Sequence, residues 1–441
     1  MQVFLPFQSV LEYSKMNYKL TKLTNGLRVL TVPMVQSESA TLTIWVKTGS
    51  RNEDKKVNGI SHFLEHMVFK GSKKRPTAKA ISEVVDSIGG EFNAATSKDW
   101  MNFYIKARNA HLATACDVLS DMVINPLLQE EEIEREKGTI IQEIAMYEDT
   151  PVMKIGDVFE ELAFEGNPLG WDTAGTKSSV KRIVKNDILS YRKKYYGYPN
   201  ILISVAGGVT EKDVVELVKK NFQSPITLAE PDPALRDNFK NSQTKPRVKL
   251  KTKKTDQSHF ILGFMGDGRN YENRYAQGVL ATILGGGMSS RLFIEVRERR
   301  GLAYAVKTGI ERFQETGYMS TYVGTDPKKV DEAISVVLEE YYKIRNSNIE
   351  IQNSELTKAK EYLKGHLALA LEDTSCVNSF FAEQALFLPE ILTPEEVFKK
   401  VDQVKLENVY AEARRLFTPS RLNLAVIGPY QDEEKFVKLL K

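Results

Sequence analysis

The same order of strand-like and helix-like segments occurs twice in this 441-residue chain, and this repetition constrains the fold more than any other feature. Residues 195–207, YYGYPNILISVAG, form an apolar strand pattern that ends in glycine, and residues 416–428, LFTPSRLNLAVIG, repeat it. Each copy is followed by a charged segment with helical periodicity, over 211–221 and over 432–440. The apolar run over 259–266 likewise corresponds to an earlier apolar run over 40–49. Because the pieces match in the same order, they predict a tandem duplication.

A polar segment, AEPDPALRDNFKNSQTKP over 229–246, separates the two copies and has the prolines and the scarcity of large apolar residues typical of a linker. A chain of this length is also too long for one ordinary core. We therefore predict a first domain over 17–228 and a homologous second domain over 247–441. Residues 1–16 are expected to be an N-terminal extension outside the fold or the result of a misplaced start codon.

Hydrophobic periodicity predicts both strands and helices within the first copy. Residues 19–32 alternate around the turn Thr24-Asn25-Gly26, which predicts a β-hairpin. Further strands are predicted over 40–46, 91–95, 100–107 and 200–208, and helices over 59–69, 79–88, 111–124, 130–147 and 211–221. The fold class expected for each copy is therefore α+β.

Composition excludes several functional classes. Lys+Arg 61 against Asp+Glu 58 gives a net charge of +3, whereas a nucleic-acid-binding protein normally concentrates excess positive charge on one face. An uninterrupted apolar run of about 20 residues, which a membrane span requires, does not occur. Cys116 and Cys376 lie far apart and outside any CxxC pattern, which favours a reducing compartment. Since residues 1–15 also lack the pattern of a secretory signal or transit peptide, we expect a cytoplasmic protein.

One amphipathic helical segment, GISHFLEHMVF over 59–69, carries a candidate metal site. His62 and His66 are four residues apart, so their rings lie one above the other on one face of the helix. Two imidazole nitrogens at this spacing can bind a single zinc ion at about 2.0–2.1 Å each. Glu65 lies close to the same face and is placed to take a proton from water rather than to bind the metal.

The simpler interpretation is that two of the five histidines lie one turn apart by chance. An H-x-x-E-H pattern would arise by chance in such a composition in roughly a few cases per thousand. The apolar residues around the pair also predict a largely buried helix, in which two unpartnered imidazoles would be costly. A metal site is therefore the better interpretation.

A catalytic zinc needs a third protein ligand, and the helix predicted over 130–147 is the best source. Glu136 and Glu143 lie beside its apolar stripe, seven residues apart and thus on nearly the same side of the helix. Two turns separate them by about 10 Å along the axis, so only one of them can bind the same ion. Helix geometry alone does not choose between them.

The wider motifs resemble those of the pitrilysin and mitochondrial-processing-peptidase family of inverted-motif zinc peptidases, in its short, single-chain bacterial form. The resemblance spans about residues 17–441 and rests on four segments: GISHFLEHMVFKGSKKRP, GGEFNAATSKDWMNFY, IEREKGTIIQEI and GGGMSSRLFIEVRERRGLAYAV. It implies two α+β domains with antiparallel-rich mixed sheets and helices packed on one side, which together form half of a clam-shell chamber.

The resemblance also assigns residues to roles. It places the third zinc ligand at Glu143 and an auxiliary acidic catalytic residue at Glu136. It implies that residues 92–96 form an edge strand that would pair with an extended peptide, with Phe92, Asn93, Ala94 and Ala95 as the substrate-binding residues. It further implies that Arg297 and Tyr304 reach the substrate, with Tyr304 near the oxyanion.

The function implied is that of a zinc-dependent endopeptidase acting on peptides or unfolded segments inside a closed chamber. The second copy lacks its own H-x-x-E-H motif, so one Zn²⁺ per chain is expected. Four α+β units would complete the chamber, which implies a homodimer, although a heterodimer is also compatible, and Arg297 and Tyr304 could then act on the partner's site. Two alternatives are a catalytically silent structural subunit of the same family and a hydrolase acting on a non-peptide substrate.

Overall fold

The computed structural model of the chain describes residues 16–223, 238–347 and 350–440. The predicted N-terminal extension, apart from Met16, and residues 229–237 of the predicted linker lie outside this range. The remainder of the predicted linker, 238–246, contains neither helix nor strand.

The first sheet is mixed, and its strands follow the order β1-β2-β6-β3-β5-β4. Its strands are β1 (Lys19–Lys22), β2 (Arg28–Pro33), β3 (Ser39–Val46), β4 (Glu91–Thr96), β5 (Met101–Arg108) and β6 (Ile201–Gly207). The strands β1 and β2 form the predicted hairpin, and β2 pairs in parallel with β6. All seven residues of β6 are buried, because it lies inside the sheet and both of its faces are covered.

The helices of the first half include every one predicted from periodicity, with ends that differ by at most about two residues. They are α1 (Ile60–Val68), α2 (Ala78–Ser87), α3 (Leu112–Ile124), α4 (Glu130–Asp149), α5 (Pro151–Ala163), α6 (Lys177–Arg182), α7 (Lys185–Tyr195) and α8 (Glu211–Asn221). Side chains of α1, α3 and α4 pack with one face of the first sheet to form its main core.

The second half contains a five-stranded sheet in the order β7-β11-β8-β10-β9. Its strands are β7 (Arg247–Thr252), β8 (Ser258–Asp267), β9 (Ala303–Arg312), β10 (Thr316–Thr325) and β11 (Leu422–Gly428). Its helices are α9 (Arg274–Gly285), α10 (Val330–Arg345), α11 (Asn353–Ala370), α12 (Thr374–Phe387), α13 (Pro394–Asp402), α14 (Leu406–Leu416) and α15 (Glu434–Leu439).

The two sheets have the same topology once the extra edge strand β1 is set aside. In each, the first strand pairs in parallel with the last, and the last pairs antiparallel with the second. The second strand then pairs antiparallel with the fourth, and the fourth with the third. The predicted duplication of an α+β domain is confirmed by this shared order.

A reciprocal exchange of helices covers the opposite faces of the two sheets, and the sequence did not predict it. Helix α12 of the second half packs on β2, β3 and β6, where Val377 and Phe381 meet Trp45 and Leu202. Helix α5 of the first half packs on β8 and β11, where Phe159 and its neighbours meet the second sheet. Each sheet is thus covered by helices of its own half on one face and by a helix of the other half on the opposite face.

Buried polar contacts hold the exchanged helices and the two halves in register. Asn378 of α12 donates from Nδ2 to the carbonyl oxygens of Thr41 (3.0 Å) and Ser204 (2.8 Å). Arg51 donates to both carboxylate oxygens of Glu315 at 2.7 and 2.5 Å and to Asp99 at 2.9 Å. Arg51 belongs to the first half and Glu315 to the second, and both side chains are largely buried, so displacement of one half against the other would separate a buried ion pair at a high energetic cost.

Each of the described helices is too short or too polar to span a membrane.

Candidate metal centre

Helix α1 orients the two histidines of the H-x-x-E-H motif towards a common point. Ile60, Phe63 and Leu64 are buried in the core, which fixes the opposite face of the helix towards the site. The side chains of His62 and His66 remain 13% and 20% exposed. Their Nε2 atoms lie 3.2 Å apart, as the spacing of four residues predicts for a convergent pair.

Helix α4 brings Glu143 to the same point. Its Oε1 lies 3.7 Å from Nε2 of His62, and its Oε2 lies 3.4 Å from Nε2 of His66. The helix is held in place by Ile133 and Ile140, which are buried in the core of the first half. Of the two glutamates that helix geometry left open, Glu143 is therefore the one that faces both imidazoles.

The donor set fits a zinc ion. Two atoms that each lie 2.0–2.1 Å from one ion at the tetrahedral angle are about 3.3 Å apart. The separations of 3.2, 3.4 and 3.7 Å among His62, His66 and Glu143 are close to this value. Within the described ranges, this trio is the cluster of histidine, cysteine and acidic residues whose ligand atoms all lie within 4.8 Å of one another.

Glu136 lies behind His66 rather than at the point of convergence. Its Oε1 accepts a 2.7 Å hydrogen bond from Nδ1 of His66, and its Oε2 pairs with Nζ of Lys70 at 2.6 Å. This contact places the proton on Nδ1 and leaves the lone pair on Nε2, as in the carboxylate–histidine–zinc arrangement. Burial opposes ionisation of Glu136, but the hydrogen bonds from His66 and Lys70 outweigh it and lower the pKa of this carboxyl group.

The charge environment of the histidines favours a cation. Burial, together with the neighbouring His66, lowers the pKa of His62 to about 4, so this imidazole is neutral at pH 7. Burial would also lower the pKa of His66, but its hydrogen bonds with Glu136 and Glu143 outweigh this effect and raise the pKa to about 9. Two carboxylates therefore attract positive charge at His66, and a metal ion would compete with the proton there.

Glu65 lies on the same helix as the two histidines and immediately precedes His66. Its Oε2 accepts a 2.5 Å hydrogen bond from the hydroxyl of Thr96. Burial raises the pKa of Glu65, and the Thr96 contact and His66 act against this shift. A carboxylate with a raised pKa next to a metal site has the properties of a general base.

The residues predicted to bind substrate lie on β4, an outer strand of the first sheet. Phe92, Asn93, Ala94 and Ala95 pair with β5 on one side, and the order of the described strands leaves the other edge of β4 open. The strand packs against α1 and ends at Thr96, the residue that contacts Glu65. An open strand edge therefore leads directly to the candidate base.

Arg297 and Tyr304 contact each other in the second half of the chain. The guanidinium group of Arg297 stacks 4.5 Å from the centre of the Tyr304 ring and donates a 3.0 Å hydrogen bond to its carbonyl oxygen. Tyr304 is 78% exposed. Over the described ranges, the side chain of Arg297 contacts Phe293, Glu298 and Tyr304, and none of the three belongs to the His62–His66–Glu143 cluster.

Sequence reasoning assigned no role at the site to Glu53 or Lys70, and it placed Thr96 at the end of the substrate strand without predicting its contact with Glu65. Thr96 immediately follows the four residues assigned to substrate binding, so its position was the available signal. Glu53 contacts mainly backbone N–H groups at the beginning of α1. One feature of the sequence could have indicated this contact: the N-cap of the helix is Gly59, which has no side chain with which to cap it.

Two family models match the chain. One, described as insulinase, peptidase family M16, matches residues 28–177, and one described as the peptidase M16 inactive domain matches residues 182–363. The first match contains the candidate metal centre, and the second contains the wide helical turn Phe293–Arg299 and β9.

Several relatives carry the name "uncharacterized zinc protease". One from Streptomyces coelicolor is 36% identical over 417 residues, which cover 94% of this chain and 90% of the relative. One from Bacillus subtilis is 34% identical over 405 residues, which cover 92% of this chain and 97% of the relative. These similarities extend over both halves of the chain.

Solved structures share the fold. A protease from Helicobacter pylori has a TM-score of 0.87 at 24% identity and covers 94% of this chain and 100% of its own. A structure from Pseudomonas fluorescens described as a peptidase M16 inactive domain has a TM-score of 0.85 at 18% identity, with coverage of 95% and 100%. Since both halves match models of one family and nearly the whole length is shared with proteins named zinc proteases, the chain belongs to peptidase family M16, as its resemblance to the pitrilysin type predicted.

Proposed function

We propose that this chain is a zinc-dependent endopeptidase that cleaves peptides and unfolded segments, with one Zn²⁺ per chain. The observation that carries the proposal is the convergence of His62, His66 and Glu143, with Glu65 beside them on the same helix as the histidines. Two imidazoles, one carboxylate and an adjacent second carboxylate are the groups that zinc-dependent hydrolysis requires.

Glu65 has the central role in this reaction. When bound, zinc supplies Lewis-acid chemistry that makes water more acidic and polarises the scissile carbonyl. Thr96 holds Oε2 of Glu65, which leaves Oε1 to accept the proton of the attacking water. Glu65 then returns this proton to the nitrogen of the leaving amine, so the same carboxyl group serves first as base and then as acid.

The open edge of β4 supports a peptide as the substrate rather than a non-peptide molecule. An extended chain paired with residues 92–95 would donate and accept main-chain hydrogen bonds along this edge, a mode that depends little on sequence. Because β4 ends at Thr96, a peptide bound in this way lies next to Glu65.

We further propose that two chains form a closed chamber that folded proteins cannot enter. Tyr304 is largely exposed and stacks on Arg297, so its ring is accessible to another molecule, which supports a model in which Arg297 and Tyr304 serve the site of a partner chain. We place the enzyme in the cytoplasm, a proposal supported by the free thiols of Cys116 and Cys376.

The proposal is tested with the purified chain and a library of internally quenched peptides. We expect one zinc per chain by elemental analysis, cleavage within the peptides, loss of cleavage on removal of the metal and recovery when zinc is returned. The Glu65→Gln variant should keep its zinc and lose at least about 100-fold in kcat, as expected for a general base. Zinc binding without cleavage of any peptide would instead favour the silent structural subunit.

A further inference from the structure

A buried carboxylate, Glu53, contacts the beginning of the metal-binding helix. Only 5% of the surface of Glu53 is exposed to solvent. Oε2 accepts hydrogen bonds from the backbone N–H of Gly59 at 2.7 Å and from Nδ2 of Asn58 at 2.9 Å. Oε1 accepts a 2.8 Å hydrogen bond from the backbone N–H of Ser61.

Helix α1 needs this contact because it begins without a cap of its own. The first N–H groups of a helix have no partner within it and are usually satisfied by a side chain at the N-cap. Here the N-cap is Gly59, with φ of +96°. A Cβ atom at this position would lie 2.6 Å from the carbonyl oxygen of Ala174, so no capping side chain fits there. The cap must therefore come from elsewhere in the chain, and Glu53 supplies it.

The two metal-binding histidines differ in how they are held. The ring of His66 is oriented through Nδ1, which donates to Glu136. Nδ1 of His62 is buried and has no hydrogen-bond partner among the described residues. The orientation of His62 is therefore set mainly through its backbone and packing, and Ser61, which Glu53 holds, immediately precedes it.

Further hydrogen bonds link the residues around this turn to the rest of the first half. The hydroxyl of Ser61 lies 2.8 Å from that of Tyr191, which is itself 3.1 Å from the hydroxyl of Thr48. Asn58 links Glu53 to the carbonyl oxygen of Asp172 at 3.0 Å. A change at Glu53 would thus affect the first turn of α1 while these neighbouring contacts keep the surrounding fold in place.

We propose that Glu53 is a positioning residue of the metal centre, which fixes the first turn of α1 and thereby directs His62 at the metal, as Glu136 directs His66 through its ring. This inference rests on the zinc site of the proposed function. It adds a carboxylate that touches neither metal nor substrate and acts through the backbone.

The test compares zinc affinity in matched variants, measured by competition with a chromophoric chelator. Glu53→Gln keeps the size of the side chain but turns an amide NH₂ towards N–H donors. We expect zinc affinity to fall at least about 10-fold, as for other partners of metal ligands, and the visible spectrum of the cobalt-substituted protein to change. The matched control is Glu412→Gln, since Glu412 is 3% exposed and accepts from Tyr271, Gln277 and Arg415 in the second half.

The control should keep wild-type zinc affinity and an unchanged cobalt spectrum. Wild-type affinity in Glu53→Gln, or equal losses in both variants, would overturn the inference while leaving the zinc site intact. A wild-type protein that binds no zinc would overturn the site itself and this inference with it. Should Glu53→Gln fail to fold, hydrogen exchange in the wild-type protein decides: slow exchange of the Gly59 and Ser61 amides supports the inference, and fast exchange contradicts it.

Discussion

The hydroxyl of Thr96 donates a 2.5 Å hydrogen bond to Oε2 of Glu65 and so joins the end of an open strand to the candidate base. Thr96 is the last residue of β4, and Glu65 lies in the middle of α1. A peptide paired along β4 and the carboxylate that would act on it are therefore positioned by the same strand.

Replacing Thr96 with valine should lower kcat with little change in KM. A hydrogen bond to a charged group contributes about 1.5–3 kcal/mol, which corresponds to roughly a 10- to 150-fold loss if it acts in the transition state. Valine has nearly the shape of threonine, so the strand should remain in place. Thr96→Ser keeps the hydroxyl and is expected to recover most of the activity. Equal kinetics for the valine variant and the wild type would show that this contact does not orient Glu65.

The glutamates of α4 should differ in their effect on zinc. Glu143→Ala removes a proposed ligand, so we expect stoichiometric zinc to be lost on dialysis. Glu136→Gln removes the partner of His66 and should weaken zinc binding about 10- to 100-fold without abolishing it. Elemental analysis after dialysis and chelator competition measure the two effects. The reverse order of severity would exchange the roles assigned to these residues.

A mixed dimer tests whether Arg297 serves the partner chain. Glu65→Gln and Arg297→Ala chains, each inactive alone, are co-expressed with different affinity tags. If Arg297 acts on the partner's site, random assortment leaves one intact site in half of the dimers and about a quarter of wild-type activity. Action within one chain predicts no recovery, and purification through both tags isolates the mixed dimer for this measurement.

The stability of the metal-free protein should depend on pH through Glu53. Burial raises the pKa of its carboxyl group to about 7, although its hydrogen-bond donors act to lower it, whereas the pKa of a glutamate in the unfolded chain is about 4.3. The folded state then holds the proton more tightly, so this contribution to stability is complete below about pH 4.3 and is lost as the pH rises through 7.

Urea unfolding of wild type and Glu53→Gln at pH 5, 6, 7 and 8 isolates this contribution, since other titrating groups are common to both proteins. The free energy of unfolding of the wild type, relative to the variant, is expected to decrease from pH 5 to pH 8. A relative stability that stays constant or increases over this range would show that Glu53 is already ionised at pH 5.

Much of the local structure could be predicted from the sequence because it depends on neighbouring residues. The hairpin around Gly26, the helix of His62 and His66 and the topology shared by the two halves follow from periodicity, turn residues and repetition. The spacing of four residues also predicted the convergence of the two imidazoles.

The features that could not be predicted depend on how elements are oriented in space. Glu136 and Glu143 lie on the same side of α4, so helix geometry could not choose between them; the family resemblance named Glu143, and the placement of α4 against α1 brings this residue near both Nε2 atoms. The cap supplied by Glu53 contacts mainly backbone groups, whose positions no side-chain pattern reveals. The position of α5 along the chain likewise gives no indication that it packs on the sheet of the other half.

The exchanged helices α5 and α12 are relevant to how the two halves evolved. They occupy equivalent places in their repeats, each in the segment between the fourth and fifth strands of the shared topology. A single ancestral repeat would have left one sheet face bare unless it swapped this helix with a twin. The present chain has the arrangement of a fused, domain-swapped dimer, so either half expressed alone should aggregate, whereas a chain nicked between the halves should stay associated.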